Sequence, residues 1–409
     1  MNTEKKRRLL FVGFPPTSYW TGQGRVARSL IERFKKDYEV GVAGWGCKFS
    51  PNLDITIYPD SEKWWEVIPQ WKPDILFLSH DVWRFPQLPS VRQKYENLKI
   101  VGYFTIDSDP IHKSWLPIFG SCDIVIVPSM WGKQVLKERF SQKPIVVIPN
   151  GIEINQFYKH IDKEAFKEQV DKDTKLIEAP ENMKMYHKGK FTILFAGANQ
   201  SKKNIGTILD GFCLFAKDKI DVLLLLVLHS FTINSFGLNI VGDYDVTDMY
   251  SWRRELKKIN ILQEVVDDKI LSNLYLISDV LLSPSIGEGF GLFVLEAMAT
   301  GAIPIITDYS AFVELPDKDS FFPLKVDAFY RARWNAKRAI VSAETVASTL
   351  DKAYYLWKNN LKEWKDMMEK NWQKVFLYSW DKCAIDILQV LKDVCNNEVL
   401  IDPELQRLI

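Results

Sequence analysis

Short runs of aliphatic and β-branched residues alternate with helical patterns along the chain, and this alternation constrains the fold most strongly. In the first part the candidate strands are residues 9–12, 39–43, 75–78, 100–104, 124–127 and 145–148. A second series comprises residues 191–197, 222–228, 280–282 and 303–306. Such alternation is typical of parallel sheets covered by helices on both faces. We therefore predict an α/β protein with doubly wound sheets, in which ligands bind beyond the carboxyl ends of the strands.

The length of 409 residues predicts two or three domains at ~150 residues each. From about residue 156 to residue 190 the chain becomes highly charged and loses its strand pattern, which indicates an inter-domain connection. We therefore predict two Rossmann-like domains, residues 1–155 and 156–378. The irregular stretch 229–254 is interpreted as an elaboration of the second domain.

Composition excludes several classes of protein. Lys plus Arg number 53 and Asp plus Glu 52, so the net charge of +1 argues against nucleic acid as a mainly electrostatic partner. The longest apolar run, residues 222–228, is far shorter than the ~20 residues of a transmembrane helix. Five cysteines are too sparse for a disulfide scaffold and lack metal-ligand spacing. We expect a cytoplasmic protein with no transmembrane segment; peripheral contact with a membrane stays open.

The most informative segment runs from Ser283 to Gly301, where a strand leads through a glycine-rich turn into a helix that begins near Leu292. Glycines allow backbone amides to approach a ligand closely. The exposed amides and the dipole of a helix start favour an anion at the same place. The segment therefore predicts a phosphate or diphosphate site.

Two glutamates flank this expected anion site. Glu288 lies in the turn and Glu296 in the helix, with seven residues between them. The apolar neighbours Leu292, Leu295 and Ala299 predict that Glu296 is partly buried, and a buried carboxylate needs a partner such as a ligand hydroxyl. Hydroxyl-binding carboxylates on both sides of a phosphate site suit a nucleotide sugar.

The order Pro-Ser, Glu-Gly-Phe-Gly and Glu-Ala-Met-Ala-x-Gly between Pro284 and Gly301 resembles the hallmark of the retaining glycosyltransferases of family four. The resemblance implies the GT-B fold, in which two Rossmann-like domains face a cleft. It also implies that the last helix, within residues 379–409, returns to the first domain. The apolar spacing of residues 380–391 suits that helix.

The resemblance also implies roles for the residues of this segment. Glu296 would hydrogen-bond the ribose of the nucleotide, and Glu288 would contact the hydroxyls of the transferred sugar. The diphosphate would be held by backbone amides of the turn and helix start, at Gly289, Phe290, Gly291 and Leu292.

A second segment, Ala198 to Ile205, is similar to the family's Gly-Arg-x-x-x-x-Lys-Asn stretch, whose arginine and lysine neutralise the departing diphosphate. Lys203 matches the lysine, whereas Ala198 occupies the arginine position. Lys202 is a candidate to compensate for the missing charge. The alternative interpretation is that both lysines lie at a solvated helix start.

Gly22 and Gly24 resemble the family's glycine-rich loop after the first strand, which approaches the donor phosphate and the acceptor. The same residues fit the dinucleotide fingerprint Gly-x-Gly-x-x-Ala. That fingerprint should follow its strand directly and be followed by an acidic residue at the end of the second strand. Here residues 14–21 intervene and the second strand ends in Ala43-Gly44-Trp45, which argues against a dehydrogenase.

Asp107 follows a strand at the place where the family carries a polar catalytic residue facing the anomeric carbon. A carboxylate there would stabilise developing positive charge or orient the acceptor hydroxyl; the alternative is an aspartate that caps its loop. Residues 107–109 and 243–245 each spell Asp-x-Asp, but nothing around them supplies further metal ligands. We predict no metal.

His80 and Asp81 follow another strand, where they either line the acceptor side or form a self-satisfied loop pair. Tryptophan is concentrated in the same part of the chain, and its indole stacks well on sugar rings as well as filling cores. Eight of the fourteen tryptophans lie at or before position 131: Trp20, Trp45, Trp64, Trp65, Trp71, Trp83, Trp115 and Trp131. Trp20, beside the glycine loop, is the first candidate for an acceptor contact.

These observations lead to one predicted function. We expect a retaining hexosyltransferase that uses a nucleoside diphosphate sugar (UDP, GDP or ADP sugar) as donor and needs no further cofactor. The acceptor is a hydroxyl of a glycan, a lipid or another glycoconjugate. Two alternatives stay open: a non-catalytic protein that binds sugar nucleotides, and a glycosyltransferase that acts on modified DNA bases.

Overall fold

A computed structural model of the chain divides it into two compact units. The first comprises the residues up to Gly151, a short segment at 333–336 and the residues from Tyr378 onward; the second comprises residues 152–332 and 337–377. The structure describes residues 6–17, 21–46, 55–58, 63–141, 143–157, 161–177, 187–229, 232–233, 239–240, 257–262 and 266–397.

The first unit is built on a seven-stranded parallel sheet in the order β3-β2-β1-β4-β5-β6-β7. Its strands are β1 (Arg8–Gly13), β2 (Glu39–Ala43), β3 (Thr56–Ile57), β4 (Ile75–Ser79), β5 (Lys99–Tyr103), β6 (Ile124–Val127) and β7 (Ile145–Val147). The helices between them are α1 (Gly22–Phe34), α2 (Ile68–Trp71), α3 (Leu88–Lys94), α4 (Leu116–Ser121) and α5 (Met130–Lys137).

The second unit contains a six-stranded parallel sheet in the order β12-β9-β8-β13-β14-β15, with two small hairpins, β10–β11 and β16–β17. The strands are β8 (Phe191–Ala198), β9 (Val222–His229), β10 (Thr232–Ile233), β11 (Asn239–Ile240), β12 (Ile259–Leu262), β13 (Val280–Ser283), β14 (Ile303–Thr307), β15 (Phe322–Leu324), β16 (Ala328–Arg331) and β17 (Lys337–Ile340). The helices are α6 (Ile154–Phe157), α7 (Lys163–Lys172), α8 (Ile205–Ala216), α9 (Asp268–Leu276), α10 (Leu292–Ala299), α11 (Ala343–Asn359) and α12 (Leu361–Val375).

The last described helix, α13 (Trp380–Asn396), belongs to the first unit. Asp381 accepts a hydrogen bond from Arg33 of α1 at 2.7 Å. A β-carbon at Gly151 would lie 2.2 Å from the backbone nitrogen of Trp380, so the start of α13 packs against a backbone that only glycine provides.

The structure confirms the predicted fold class, since both units are parallel sheets with helices between the strands. The ten strands predicted from the sequence are all present, with ends shifted by no more than one residue. The pattern missed β3, β12 and β15, which are edge strands of two to four residues, and the strands of both hairpins, β10, β11, β16 and β17. An edge strand is flanked on one side only, so it needs no long apolar run, and β15 even contains Pro323. None of the described helices has the length and apolar character needed to cross a membrane.

Candidate functional site

The glycine-rich turn between β13 and α10 has the strand–turn–helix form that its sequence predicts. Gly291 stands at the N-cap of α10 with φ of 104°, and as a glycine it provides no side-chain cap for the first turn of the helix. A β-carbon on Gly291 would lie 2.7 Å from Cβ of Phe312. The glycine therefore provides both the left-handed backbone and the space that bring the chain into the helix.

We predict that Gly291→Ala destabilises the protein, because the new β-carbon meets both an unfavourable φ and a backbone-anchored neighbour. The cost in the free energy of unfolding should be about 2 kcal/mol or more, measured by chemical denaturation. Gly189→Ala is a matched control: its φ is 71°, but a β-carbon there meets nothing within 4 Å. A variant at 291 that is no less stable than the variant at 189 would contradict this account.

Lys203 and Glu288 form an ion pair between the loop after β8 and the loop after β13. Their side chains are only 12% and 10% exposed, so the pair is largely removed from water. The Lys203 ammonium also lies 4.7 Å from the ring centroid of Phe293, in the first turn of α10. The structure thus brings a lysine, a carboxylate and an uncapped helix start to one place.

The pKa of Glu288 reflects this environment. Burial by itself raises the pKa of the carboxyl, but the charges of Lys203 and Lys202 and hydrogen bonds from Lys203 and Ser285 outweigh it, so the pKa lies below its ordinary value. The backbone N–H of Ile286 donates to the carbonyl of Lys202 at 3.0 Å, which ties the two loops together. Glu288 is therefore held as a carboxylate facing two lysines.

Ser310 fixes the backbone of Glu288. It has φ of 72° and ψ of −168°, a conformation that residues with a β-carbon rarely adopt. Its Oγ accepts a hydrogen bond from the Glu288 N–H at 2.9 Å, and the N–H of Ala311 donates to the Glu288 carbonyl at 3.2 Å. Hydrogen bonds thus hold both the backbone N–H and the backbone carbonyl of Glu288 in place.

Glu296 is 6% exposed, in agreement with the burial expected from its apolar neighbours. Within the described residues it accepts a hydrogen bond from the hydroxyl of Tyr275 on α9 at 3.0 Å. The sequence predicted a need for a partner but not this one, because Tyr275 lies in an ordinary apolar helical pattern with no polar signal. Ser310 was missed for a similar reason: a serine after a strand has no distinguishing pattern.

Three of the predicted site residues, Gly22, Gly24 and Asp107, lie in the first unit. Gly22 begins α1, and the N–H of Gly24 donates to the hydroxyl of the N-cap Thr21 at 2.7 Å. Gln23 donates to Thr105 Oγ1 at 3.4 Å, which brings the first turn of α1 beside the segment that follows β5. Asp107 lies half-buried in that segment and accepts a hydrogen bond from Ser108 Oγ at 2.9 Å.

No group of three or more His, Cys, Asp or Glu side chains is arranged to hold a metal ion in the part of the chain that the structure describes. Residues 243–245, the second Asp-x-Asp, and Trp20 lie outside the described residues.

Comparison with known proteins agrees with this geometry. Residues 184–319, which include Lys203, Glu288 and Glu296, match the family model of glycosyl transferases group 1. Mannosylfructose-phosphate synthase of Agrobacterium fabrum is 25% identical over 199 residues, which cover 47% of this chain and 39% of that protein. Residues 184–319 are therefore similar to the group 1 glycosyl transferases, and the chain spans less than half the length of the relative that it matches.

Two solved structures share the fold. A glycosyltransferase from Rickettsia africae superimposes with a TM-score of 0.70 at 19% identity, over 97% of this chain and 100% of that chain. The Anabaena protein HepE, solved with UDP and glucose, has a TM-score of 0.68 at 12% identity, over 94% of this chain and 99% of that chain. Similarity at these identities establishes the GT-B type of fold.

Proposed function

We propose that this protein is a retaining glycosyltransferase that moves a hexose from a nucleoside diphosphate sugar to an acceptor hydroxyl. The observation that carries the proposal is the convergence of Lys203, Glu288 and the uncapped start of α10, because this set provides positive charge, a carboxylate and backbone amides at one place. All three lie within the segment that matches group 1 glycosyltransferases.

In this proposal the second unit binds the donor. The amides at Gly289, Phe290, Gly291 and Leu292 hold the diphosphate together with Lys202 and Lys203. The charges of Lys202 and Lys203 both act at Glu288, and positive charge beside a helix start favours the binding of an anion. Glu288 contacts the hexose hydroxyls and Glu296 the ribose. HepE, with the same fold, was solved with UDP and glucose, which supports a sugar nucleotide as the ligand class.

Catalysis follows from the charge that develops on the leaving group. As the bond between C1 of the hexose and the diphosphate oxygen breaks, negative charge grows on the phosphate. Lys203 and the helix amides stabilise that charge more in the transition state than in the ground state. The acceptor oxygen bonds to C1 on the same face, and its proton passes to the departing phosphate oxygen. No protein base is required for this step.

The first unit is proposed to hold the acceptor. The two domains that we propose are residues 1–155 with 379–409 and residues 156–378. Gly22 and Gly24, at the first turn of α1, and Asp107, beside that turn, are the candidate contacts. An aspartate next to the reacting centre would stabilise positive charge on the hexose ring or orient the acceptor hydroxyl.

Thermal shift with UDP, GDP and ADP, each with and without its hexose, tests the donor proposal. A ligand that binds only the folded state raises the melting temperature, and a concentration of 100 times Kd corresponds to about 2.7 kcal/mol. We expect the nucleotide with one of the three bases to raise the melting temperature clearly. No shift with any of them at millimolar concentration would overturn the proposal.

Ala198 favours a second candidate, a protein that binds sugar nucleotides without transferring the sugar. It ends β8, opposite His229 of β9, where the family's arginine would neutralise the leaving group. Loss of that charge would lower catalysis more than binding. Release of nucleoside diphosphate from a bound donor separates the two candidates, since only the transferase produces it.

A further inference from the structure

A cluster of aromatic rings lies at the carboxyl ends of three adjacent strands in the first unit. Phe14 follows β1, Trp45 follows β2 and His80 follows β4, and β1 lies between the other two. The His80 ring centroid is 4.8 Å from that of Phe14 and 5.1 Å from that of Trp45. In parallel sheets this edge is where ligands bind.

His80 presents a buried hydrogen-bond donor that has no acceptor among the described residues. Its side chain is 4% exposed, and its Nδ1 accepts from the N–H of Asp81 at 2.7 Å, so a neutral ring carries its proton on Nε2. Burial, with the charge of Arg84, lowers the pKa of His80 to about 3, which keeps the ring neutral. Among the described residues nothing accepts from Nε2.

Arg84 presents a second buried donor without an acceptor among the described residues, and its guanidinium lies beside the indole ring of Trp45. Its guanidinium lies 5.3 Å from the ring centroid of Trp45 and 4.4 Å from that of Trp83. The Nε atom is buried without an acceptor, and Arg84 makes no ion pair within the described ranges. A buried N–H without a partner is rare and costly, so two of them around Trp45 call for an acceptor that the described protein does not supply.

We propose that Phe14, Trp45, His80, Trp83 and Arg84, here termed the Trp45 cluster, bind the acceptor of the transfer reaction and select a saccharide that carries an anionic group. This inference rests on the proposed function and adds the acceptor class to it. Arg84 binds the phosphate or carboxylate, the His80 Nε2–H donates to an acceptor oxygen, and the aromatic faces pack on the sugar ring.

The anionic character of the acceptor follows from the arginine. A guanidinium stacked on indole keeps its charge and its planar set of donors but is less hydrated than an ammonium. A neutral sugar would satisfy the His80 donor and leave the charge of Arg84 uncompensated. A phosphorylated or carboxylated sugar satisfies both.

Calorimetric titration of the full chain with glucose 6-phosphate, fructose 6-phosphate, glucuronate and glucose, each in the presence of saturating nucleoside diphosphate, tests this inference. We expect at least one anionic sugar to bind tenfold or more tightly than glucose. Comparison of the two sugar phosphates with glucuronate shows whether a phosphate or a carboxylate is preferred. Arg84→Met keeps the stacked stem but removes the charge, and should abolish the preference. Lys137→Gln, which removes an exposed positive charge from α5, should leave it unchanged.

His80→Asn tests the donor on His80. The asparagine amide oxygen can still accept from the Asp81 N–H, but the Nε2–H of the histidine is lost. We expect weaker binding of the anionic sugar by about tenfold with no loss of melting temperature. Equal affinity of the wild type for glucose and its anionic derivatives, no binding of any of the four sugars, or an unchanged preference in Arg84→Met would overturn the inference. Nucleoside diphosphate binding, measured in the same samples, reports separately on the proposed function.

Discussion

Lys203→Ala is expected to lower the rate of glycosyl transfer by about a hundred- to a thousandfold, because it removes a positive charge that we propose to stabilise the developing negative charge of the diphosphate. The loss should appear mainly in kcat, since the interaction strengthens as the bond breaks. Steady-state kinetics at saturating donor measures it. Lys269→Ala, which removes an exposed lysine from α9 of the same unit, should leave kcat unchanged.

Lys203 also stabilises the fold through Glu288, so stability must be measured beside activity. Removal of Lys203 leaves the nearly buried Glu288 carboxylate without its ion-pair partner, which costs about 3 kcal/mol at neutral pH. The double variant Lys203→Ala/Glu288→Gln carries no such charge and should regain most of that stability while it stays inactive. If Lys203→Ala alone unfolds, the double variant still shows whether a folded protein without Lys203 transfers the sugar. Transfer at the wild-type rate by a folded Lys203→Ala protein would contradict the proposed role.

The same pair predicts a pH dependence of stability. In the wild type the pKa of Glu288 is lowered in the folded state, so its contribution to stability is full above the ordinary glutamate pKa and is lost as the pH falls through the folded value. In Lys203→Ala the largest of the causes that lower the pKa of Glu288 is removed, so that pKa lies above its wild-type value and the carboxyl is neutralised at a higher pH. The difference in stability between the two proteins should therefore narrow from pH 7 towards about pH 4. Denaturant titration at both pH values measures this, and a constant difference would show that the pair is not the cause.

Glu296→Ala is expected to weaken donor binding by about 3 kcal/mol, or about a hundredfold, because we propose that this buried carboxylate accepts charge-assisted hydrogen bonds from the ribose hydroxyls. Glu296→Gln keeps the volume and should fall between alanine and the wild type. Binding of the nucleoside diphosphate by calorimetry measures the effect.

Tyr275→Phe is the matched control for Glu296. It removes the hydroxyl that donates to that carboxylate at 3.0 Å but keeps the carboxylate itself. If Glu296 acts on the ribose directly, Tyr275→Phe should reduce affinity by less than tenfold and Glu296→Ala by about a hundredfold. Equal losses in the two variants would indicate that Glu296 acts only by holding α9 against α10.

The sequence predicted those features that depend on local pattern. The positions of β1, β4, β8 and β13 follow from continuous apolar runs that are buried on both faces. The sequence predicted the turn around Gly291 from its glycines, and the positive φ of Gly291 explains why a glycine is needed there. Edge strands such as β3 carry too few residues to produce a pattern.

Contacts between distant segments could not be predicted from the sequence. The pairing of Lys203 with Glu288, 85 residues apart, depends on the adjacency of β8 and β13 in the sheet. The hydrogen bond from Tyr275 to Glu296 depends on the packing of α9 beside α10. His80 shows the same limit: the sequence left open whether it lines the acceptor side or pairs with Asp81, and its burial, with an Nε2 that has no acceptor among the described residues, emerges only from the fold.

The central claim is that the second unit activates a nucleoside diphosphate sugar for transfer with retention of configuration at C1. The most direct measurement is nuclear magnetic resonance of the reaction with a donor labelled at C1, which reports both release of nucleoside diphosphate and the anomeric configuration of the first-formed product. We predict that the wild type gives a product with the configuration of the donor, and that Lys203→Ala gives little product. Inverted configuration, or no release of nucleoside diphosphate from UDP, GDP or ADP hexoses with any acceptor tested, would contradict the account.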